Sequence, residues 1–396
     1  MKFTLEPRLL VAYAQRRRLP ANQQRALWVS SSLSTYGGIA TFVRNMRDTS
    51  IWGDWNIRHI GTHCDGSKAR RILIFCWGLS QFIYEMIFYR PQIVHLHTSE
   101  RGSFVRKGLL VWVSAVFRVP ALLHMHGGEF HVYYDHAPAP MQNLIRTTLA
   151  RASVVIALGS AWAARLQQIA PAANVVVIPN AIKLRTTVDQ VAPAQVQVVF
   201  LGELCERKGI DVLLDAWGAM MATGCAGDAK LIVAGWGEID RARVQIASLG
   251  IGDSVHLAGW LSAPDSQALL AASHVLVLPS INEGQPMAIL EAMTRGLCVV
   301  STTVGGIPEM IGDAEGLLVR PGDRSALAGA LLRVVVSEDA RRRFGANARL
   351  RVERQFDIDV VSRTFGEMYQ EVIASHPYLR SDFKATSFKM FDRLKH

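Results

Sequence analysis

Cysteine is scarce in this chain of 396 residues: Cys64, Cys76, Cys205, Cys225 and Cys298 are odd in number, scattered and never spaced C-x-x-C. A disulfide framework and a zinc ribbon are thereby excluded, and a reducing cytoplasm is the expected compartment. No apolar run approaches the ~20 residues of a membrane span, so none is expected. No secretory leader is expected either, since Leu9–Ala14 is too short and Arg16, Arg17 and Arg18 follow it instead of preceding it. Acidic residues are lacking in one half only. Residues 1–183 hold 8 Asp and Glu against 21 Lys and Arg, a net of +13, whereas residues 184–396 hold 25 against 22, a net of −3. So lopsided a charge points to an anionic partner for the first half, whether nucleic acid, a membrane surface or a phosphorylated lipid. No nucleic-acid module accompanies it, so no nucleic-acid partner is expected.

Half of the residues are hydrophobic, enough to exclude disorder and, at this length, to fill two domains. Strands are expected over Ala26–Ser31, Ile57–Ile60, Ile93–His97, Ala121–His126, Ser153–Leu158 and Val175–Ile178. The alternation with amphipathic segments then restarts, with strands over Val198–Gly202, Leu231–Gly235, Val255–Ala258, Val275–Pro279 and Cys298–Ser301. Continuous apolar strands with helical crossovers read as parallel sheets covered on both faces. The expected fold is α/β, with two doubly wound, Rossmann-like domains facing a central cleft. Residues 1–187 would form the first domain and 188–365 the second, with the polar segment Val188–Gln195 as linker. A tail over 366–396 would return to the first domain.

In such sheets ligands bind at the carboxyl ends of the strands, so the loops there carry the functional signal. Gly37-Gly38 follows the first strand and opens a helix, where close backbone approach and free N–H groups suit a phosphate. The same pair also serves a plain strand-to-helix turn. Arg207-Lys208-Gly209 opens another helix, and two cations there oppose the helix dipole unless they face an anion. Glu283-Gly284-Gln285-Pro286-Met287 ends an apolar strand and starts a helix that carries Glu291. Carboxylates accept paired hydrogen bonds from vicinal hydroxyls, so Glu283 and Glu291 suit a ligand with two sugars.

The Glu283-x7-Glu291 frame, E-G-x-P-x-x-x-L-E-A-M, resembles the signature of the retaining glycosyltransferase family 4, which has the GT-B fold. The resemblance runs from about Trp28 to about Arg320 and includes His124-Met125-His126-Gly127, Ile178-Pro179-Asn180-Ala181, Val199–Gly209 and Gly305-Gly306-Ile307-Pro308-Glu309. It implies a nucleotide-sugar donor, GDP-mannose or a UDP-hexose, with no metal and no other cofactor. Glu283 and His126 would contact the transferred sugar and Glu291 the ribose. Lys208 would neutralise the diphosphate, and Gly37, Gly38, Gly284, Gln285, Pro286 and Met287 would line the donor site. The family often has Arg where this chain has Glu203, and Arg207 is expected to supply that charge. Gln285 replaces a common aromatic residue. A GT-B sugar-nucleotide epimerase and a non-catalytic sugar-nucleotide binder remain alternatives.

His95 and His97 alternate on one strand end and His124 and His126 on another, so each pair could in principle bind metal, but no Cys or carboxylate at zinc spacing accompanies either, and core histidines are expected for His95, His97 and His124. Asp357-Ile358-Asp359 resembles a metal motif of another glycosyltransferase fold and is discounted by its place on a late helix. On a helical wheel of Ser103–Arg118, Ser103, Arg106, Lys107, Ser114 and Arg118 share one third of the circumference, and the rest is apolar. Ile72–Tyr89 is equally rich in bulky residues. Arg106, Lys107 and Arg118 are therefore expected to meet an anionic membrane or a lipid-linked saccharide acceptor. The expected location is the cytoplasm, peripheral on the inner face of the cell membrane.

Overall fold

A computed structural model describes residues 24–35, 37–190 and 195–376. The aromatic tail residues Tyr378, Phe383, Phe388 and Phe391 lie outside the described residues, as does part of the expected linker. The first sheet contains β1 (Ala26–Ser30), β2 (Arg58–Gly61), β3 (Ile93–Thr98), β4 (Ala121–Met125), β5 (Val154–Ala157) and β6 (Val175–Val177), in the order β2-β1-β3-β4-β5-β6. The second contains β7 (Gln197–Leu201), β8 (Lys230–Ala234), β9 (Val255–Gly259), β10 (Val275–Leu278), β11 (Cys298–Thr302) and β12 (Gly316–Val319), in the order β12-β11-β10-β7-β8-β9. All pairs are parallel. β1, β3, β4, β5, β10 and β11 are buried along their whole length, which is why they read as unbroken apolar runs. β12 was not expected, because Gly316 and its half-buried neighbours make a weak edge-strand pattern.

The helices that matter for the site are α1 (Gly38–Met46), α2 (Lys68–Tyr84), α3 (Gly102–Val116), α4 (Ser160–Ile169), α5 (Ile210–Ala222), α6 (Met287–Thr294) and α7 (Ile358–Ser375). The chain leaves the first domain earlier than expected. Ala181 packs in the first core, whereas Ile182, Leu184 and Val188 pack on the second. Val188 and Gln190 belong to the second domain, and the Gln190 amide donates to the carbonyls of His274 and Gly296. The polar stretch that resembled a linker is thus satisfied by hydrogen bonds. The chain also returns earlier, at α7, whose Ile358, Val361, Phe365 and Tyr369 join the first core. The two crossings run side by side: Ile182 N donates to Phe356 O at 2.9 Å and Ile358 N to Ile182 O at 3.0 Å. Asp357 caps α7, its carboxylate accepting from the amides of Asp359 and Val360.

Two helices of the first domain depart from expectation. Lys68–Tyr89, α2 with its terminal π turn, has a mean hydropathy of 1.5 over its apolar window and is by length and composition long enough to span a membrane. Its charges sit at its ends, which hides the apolar run. It nevertheless lies along the sheet, with Gly78, Phe82 and Met86 turned inward. In α3 the buried stripe mixes apolar and polar residues, and part of the apolar sector is left outside. Lys107, 1% exposed, and Ser114 face the sheet with Phe104, Gly108 and Val111, while Val105, Leu109, Trp112 and Val116 face solvent. Lys107 is therefore not available to a membrane surface, contrary to expectation. It falls in the buried i, i+3, i+4, i+7 stripe that starts at Phe104. Arg106 is half-buried and Arg118 exposed.

Candidate active site

The carboxyl ends of β1, β4, β7 and β10 meet across the cleft, and the expected residues converge there. Gly209, at φ +72°, follows Lys208, and a Cβ at this position would stand 2.1 Å from the Pro279 carbonyl oxygen. Only glycine lets this turn close over the end of β10. That closure puts the Lys208 ammonium on the Glu283 carboxylate, both nearly buried, with Ser280 Oγ donating to the same oxygen at 2.8 Å. Arg207, by contrast, is tied to Glu203 at 3.3 Å on a partly exposed turn. The cation expected to replace a missing charge is engaged with the residue that displaced it.

The Glu283-Gly284 turn is held from both sides. A Cβ on Gly305 would collide with Glu283 O, and Gly306 N donates to Gly284 O at 2.9 Å. From the first domain, Gly128 lies so near that a Cβ there would stand 2.8 Å from Gly284 N. Gly38 faces Met287 across the same gap. Neither α1 nor α6 has a side-chain cap or an acidic residue in its first turn, so both present free N–H groups to the cleft.

Gln285 does something else. Its amide accepts from Asn180 N at 2.8 Å and donates to Leu158 O at 2.5 Å, and its carbonyl accepts from Asn180 Nδ2 at 3.0 Å. The side chain expected to touch the donor joins the two domains. Glu309 adds a second joint: its carboxylate accepts from Ser160 N at 2.6 Å and Ala161 N at 2.9 Å, so one domain caps a helix of the other. Glu291 is half-buried on α6. Desolvation pushes its carboxyl up to about 7, with Arg185 and Arg295 pulling the other way.

Period-2 alternation sets His95, His97, His124 and His126 on one face of β3 and β4, beneath α1 and α7. His97 Nδ1 lies 3.0 Å from His126 Nε2, His95 Nε2 lies 3.2 Å from His124 Nδ1, and His95 Nδ1 meets the Tyr369 hydroxyl at 2.5 Å. Burial holds all four rings neutral, with His126 pushed down to about 3. Nitrogens of His95, His97 and His124 approach within 4.8 Å of one another, the spacing of a possible metal site. The rings of His95 and His97, however, stack at 4.3 Å and 15°, so their in-plane lone pairs run side by side instead of converging. Trp28, Phe42 and Phe365 pack around them, and no carboxylate is in the group to offset a dication. The arrangement suits a hydrogen-bonded support for His126.

Glu100 escaped the sequence reading. It follows β3 and keeps one buried carboxylate oxygen, packed against Gly127, without a hydrogen-bond partner. Only its place after a strand, in T-S-E, could have drawn attention to it.

A fold of two parallel six-stranded sheets closing on a Glu-Lys-His cleft is that of the GT-B sugar transferases. The family described as "Glycosyl transferases group 1" matches residues 195–337, and that described as "Glycosyl transferase 4-like domain" matches residues 51–181. The chain belongs to this glycosyltransferase family. It is 29% identical to a putative colanic acid biosynthesis glycosyltransferase, WcaL of Escherichia coli, over 60% of each chain. A mannosyltransferase of Mycolicibacterium hassiacum is 37% identical over 33% of this chain and 32% of its own. A phosphatidyl-myo-inositol mannosyltransferase of Mycobacterium leprae is 32% identical over 45% and 47%. These matches span 60% or less of each relative's length. Among solved structures, sucrose-phosphate synthase of Thermosynechococcus elongatus superposes with a TM-score of 0.74 at 21% identity, covering 89% of this chain and 100% of its own. Anabaena HepE with UDP-glucose superposes at 0.66 and 18% identity, over 88% and 99%. At these identities the likeness establishes the fold.

Proposed function

We propose that the protein is a retaining, metal-independent glycosyltransferase that moves a hexose from GDP-mannose or a UDP-hexose to a lipid-linked saccharide acceptor in surface polysaccharide or glycolipid synthesis. One observation carries the reading: the Lys208–Glu283 ion pair sits between two uncapped helix N-termini and His126. Without donor, cation and carboxylate neutralise each other. A nucleotide sugar would separate them, its diphosphate taking Lys208 and the amides of α1 and α6, and its sugar hydroxyls taking Glu283. Charge developing on the departing diphosphate is then stabilised by groups already in place. Glu291, on the helix α6 that follows the same loop, suits the ribose diol once its carboxyl is charged. The mannosyltransferases among the relatives and the UDP-glucose of the HepE structure keep both donor classes in view.

The acceptor side is supported by the first domain. A groove of about 460 Å³ is lined by Arg101, Glu129, Tyr133, His136 and Met141. The outward apolar faces of α2 and α3, with Lys68, Arg70 and Arg71 at the start of α2, suit docking in the plane of an anionic membrane on the cytoplasmic side. Incubating the protein with a panel of nucleotide sugars, with and without lipid-linked acceptor, tests the reading. Acceptor-dependent sugar transfer is the expected result. Turnover without acceptor would make the protein an epimerase, and binding without turnover would make it a sugar-nucleotide binder.

A further inference from the structure

Lys107 is a buried charge that the cleft chemistry above does not use. It is 1% exposed, and among the described residues no carboxylate or hydrogen bond offsets the burial of its ammonium. Its neighbours do not compensate it. Arg106, next in sequence, keeps a buried Nε without partner, and His63, in the β2–α2 loop, keeps a buried Nδ1 without partner. His63 follows β2, Arg71 lies in the first turn of α2, and Arg106 and Lys107 lie in the first two turns of α3 after β3, so the fold sets the four groups at the carboxyl ends of the strands. Arg71 and Lys107 both act on His63, and Arg71 on Arg106. The Asp65 carboxylate acts on His63 in the opposite sense. Neither α2 nor α3 has an acidic residue in its first turn, so both helix N-termini add to the positive potential. Burial and Arg106 together push the Lys107 ammonium down to about 7. A buried amine among cations with unsatisfied N–H groups is costly by itself, and an anion would compensate it.

We propose that Lys107, Arg106, His63 and Arg71 form a phosphate-binding subsite on the acceptor side of the cleft, which takes a phosphate or diphosphate group. This rests on the glycosyltransferase reading only for the statement that the group belongs to the acceptor. The group could come from a lipid headgroup or from a free phosphate ester, and the chemistry of recognition is the same for both.

The test uses the full chain saturated with UDP or GDP, which fills the donor side, and titrates inorganic pyrophosphate by calorimetry. Retained pyrophosphate binding is expected, weakened at least tenfold in Lys107→Met and in Arg106→Gln and unchanged in Arg146→Gln, an exposed control. Binding near pH 7.5 should take up a proton as Lys107 is recharged, and Lys107→Met should abolish that uptake. Lys107→Met should also melt higher than the parent, because an apolar side chain fills the buried position. Tighter binding of a long-chain alkyl phosphate in micelles than of pyrophosphate supports a lipid headgroup, and equal binding supports a free ester. Either result keeps the site. Absence of pyrophosphate binding in the nucleotide-saturated protein, or unchanged affinity in both variants, overturns it. The donor panel fails or succeeds independently of this titration.

Discussion

The two domains share one topology but use their helices in opposite ways. In the second domain, α5 turns Ile210, Leu213, Leu214, Trp217 and Met220 into the core. In the first, α2 turns Ile72, Leu73, Trp77, Ile87 and Phe88 outward, and α3 exposes Val105, Leu109, Trp112 and Val116 while burying Lys107 and Ser114. A helix on a sheet needs one apolar stripe. The first domain carries a second stripe, beside an excess of positive charge, where the second domain is close to neutral. The difference separates a half that packs around the donor chemistry from a half whose outer surface asks for a partner.

The sharpest way to break the comparison is to truncate one tryptophan on each side. Trp217→Ala should cost about 3–5 kcal/mol of stability, because Trp217 is fully buried. Trp77→Ser, at a position 60% exposed, should stay within about 0.5 kcal/mol in denaturant melts and instead reduce co-sedimentation with anionic liposomes. Equal losses of stability would remove the distinction between the two faces.

A slightly smaller effect is expected at the chemistry. Glu283→Gln should lower kcat by about 10²-fold or more with a modest change in donor KM, since its contacts lie next to the reacting carbon. Wild-type turnover in this variant would sink the site assignment. The joints between the domains come next. Gln285→Ala leaves Asn180 N and Leu158 O unpaired and should cost about 1–3 kcal/mol, read as an earlier thermal transition.

The smallest effect concerns pH. Burial raises the Glu291 carboxyl, so the native state binds more protons than the unfolded chain between the ordinary carboxylate value and about 7. Stability should fall across that window in the parent relative to Glu291→Gln. Donor KM should improve by about tenfold as pH rises through 7, because the charged carboxylate is the better acceptor for a diol. Glu291→Gln should flatten that profile, and a flat profile in the parent would detach Glu291 from the donor.

Much of the fold was legible because buried parallel strands are unbroken apolar runs and the loops after them are short and marked. Eleven strands could be placed in this way, and the edge strand Gly316–Val319 could not, since its half-buried residues lack the pattern. Glu283, Gly284 and Lys208 were found by local spacing. Glu100 was not, because its significance depends on Gly127, which comes from another strand.

The sequence by itself determined the two-domain α/β plan, the uneven charge and the loop chemistry, because each is written in local pattern and composition. Only the tertiary structure decided how side chains were shared out. It paired Arg207 with Glu203, gave Gln285 to the domain joint, buried Lys107 and turned Trp77 outward. A wheel or a motif fixes which residues lie together on an element. Which face meets a neighbour depends on contacts made across more than a hundred residues of chain, such as Asn180 with Gln285 and Ser160 with Glu309.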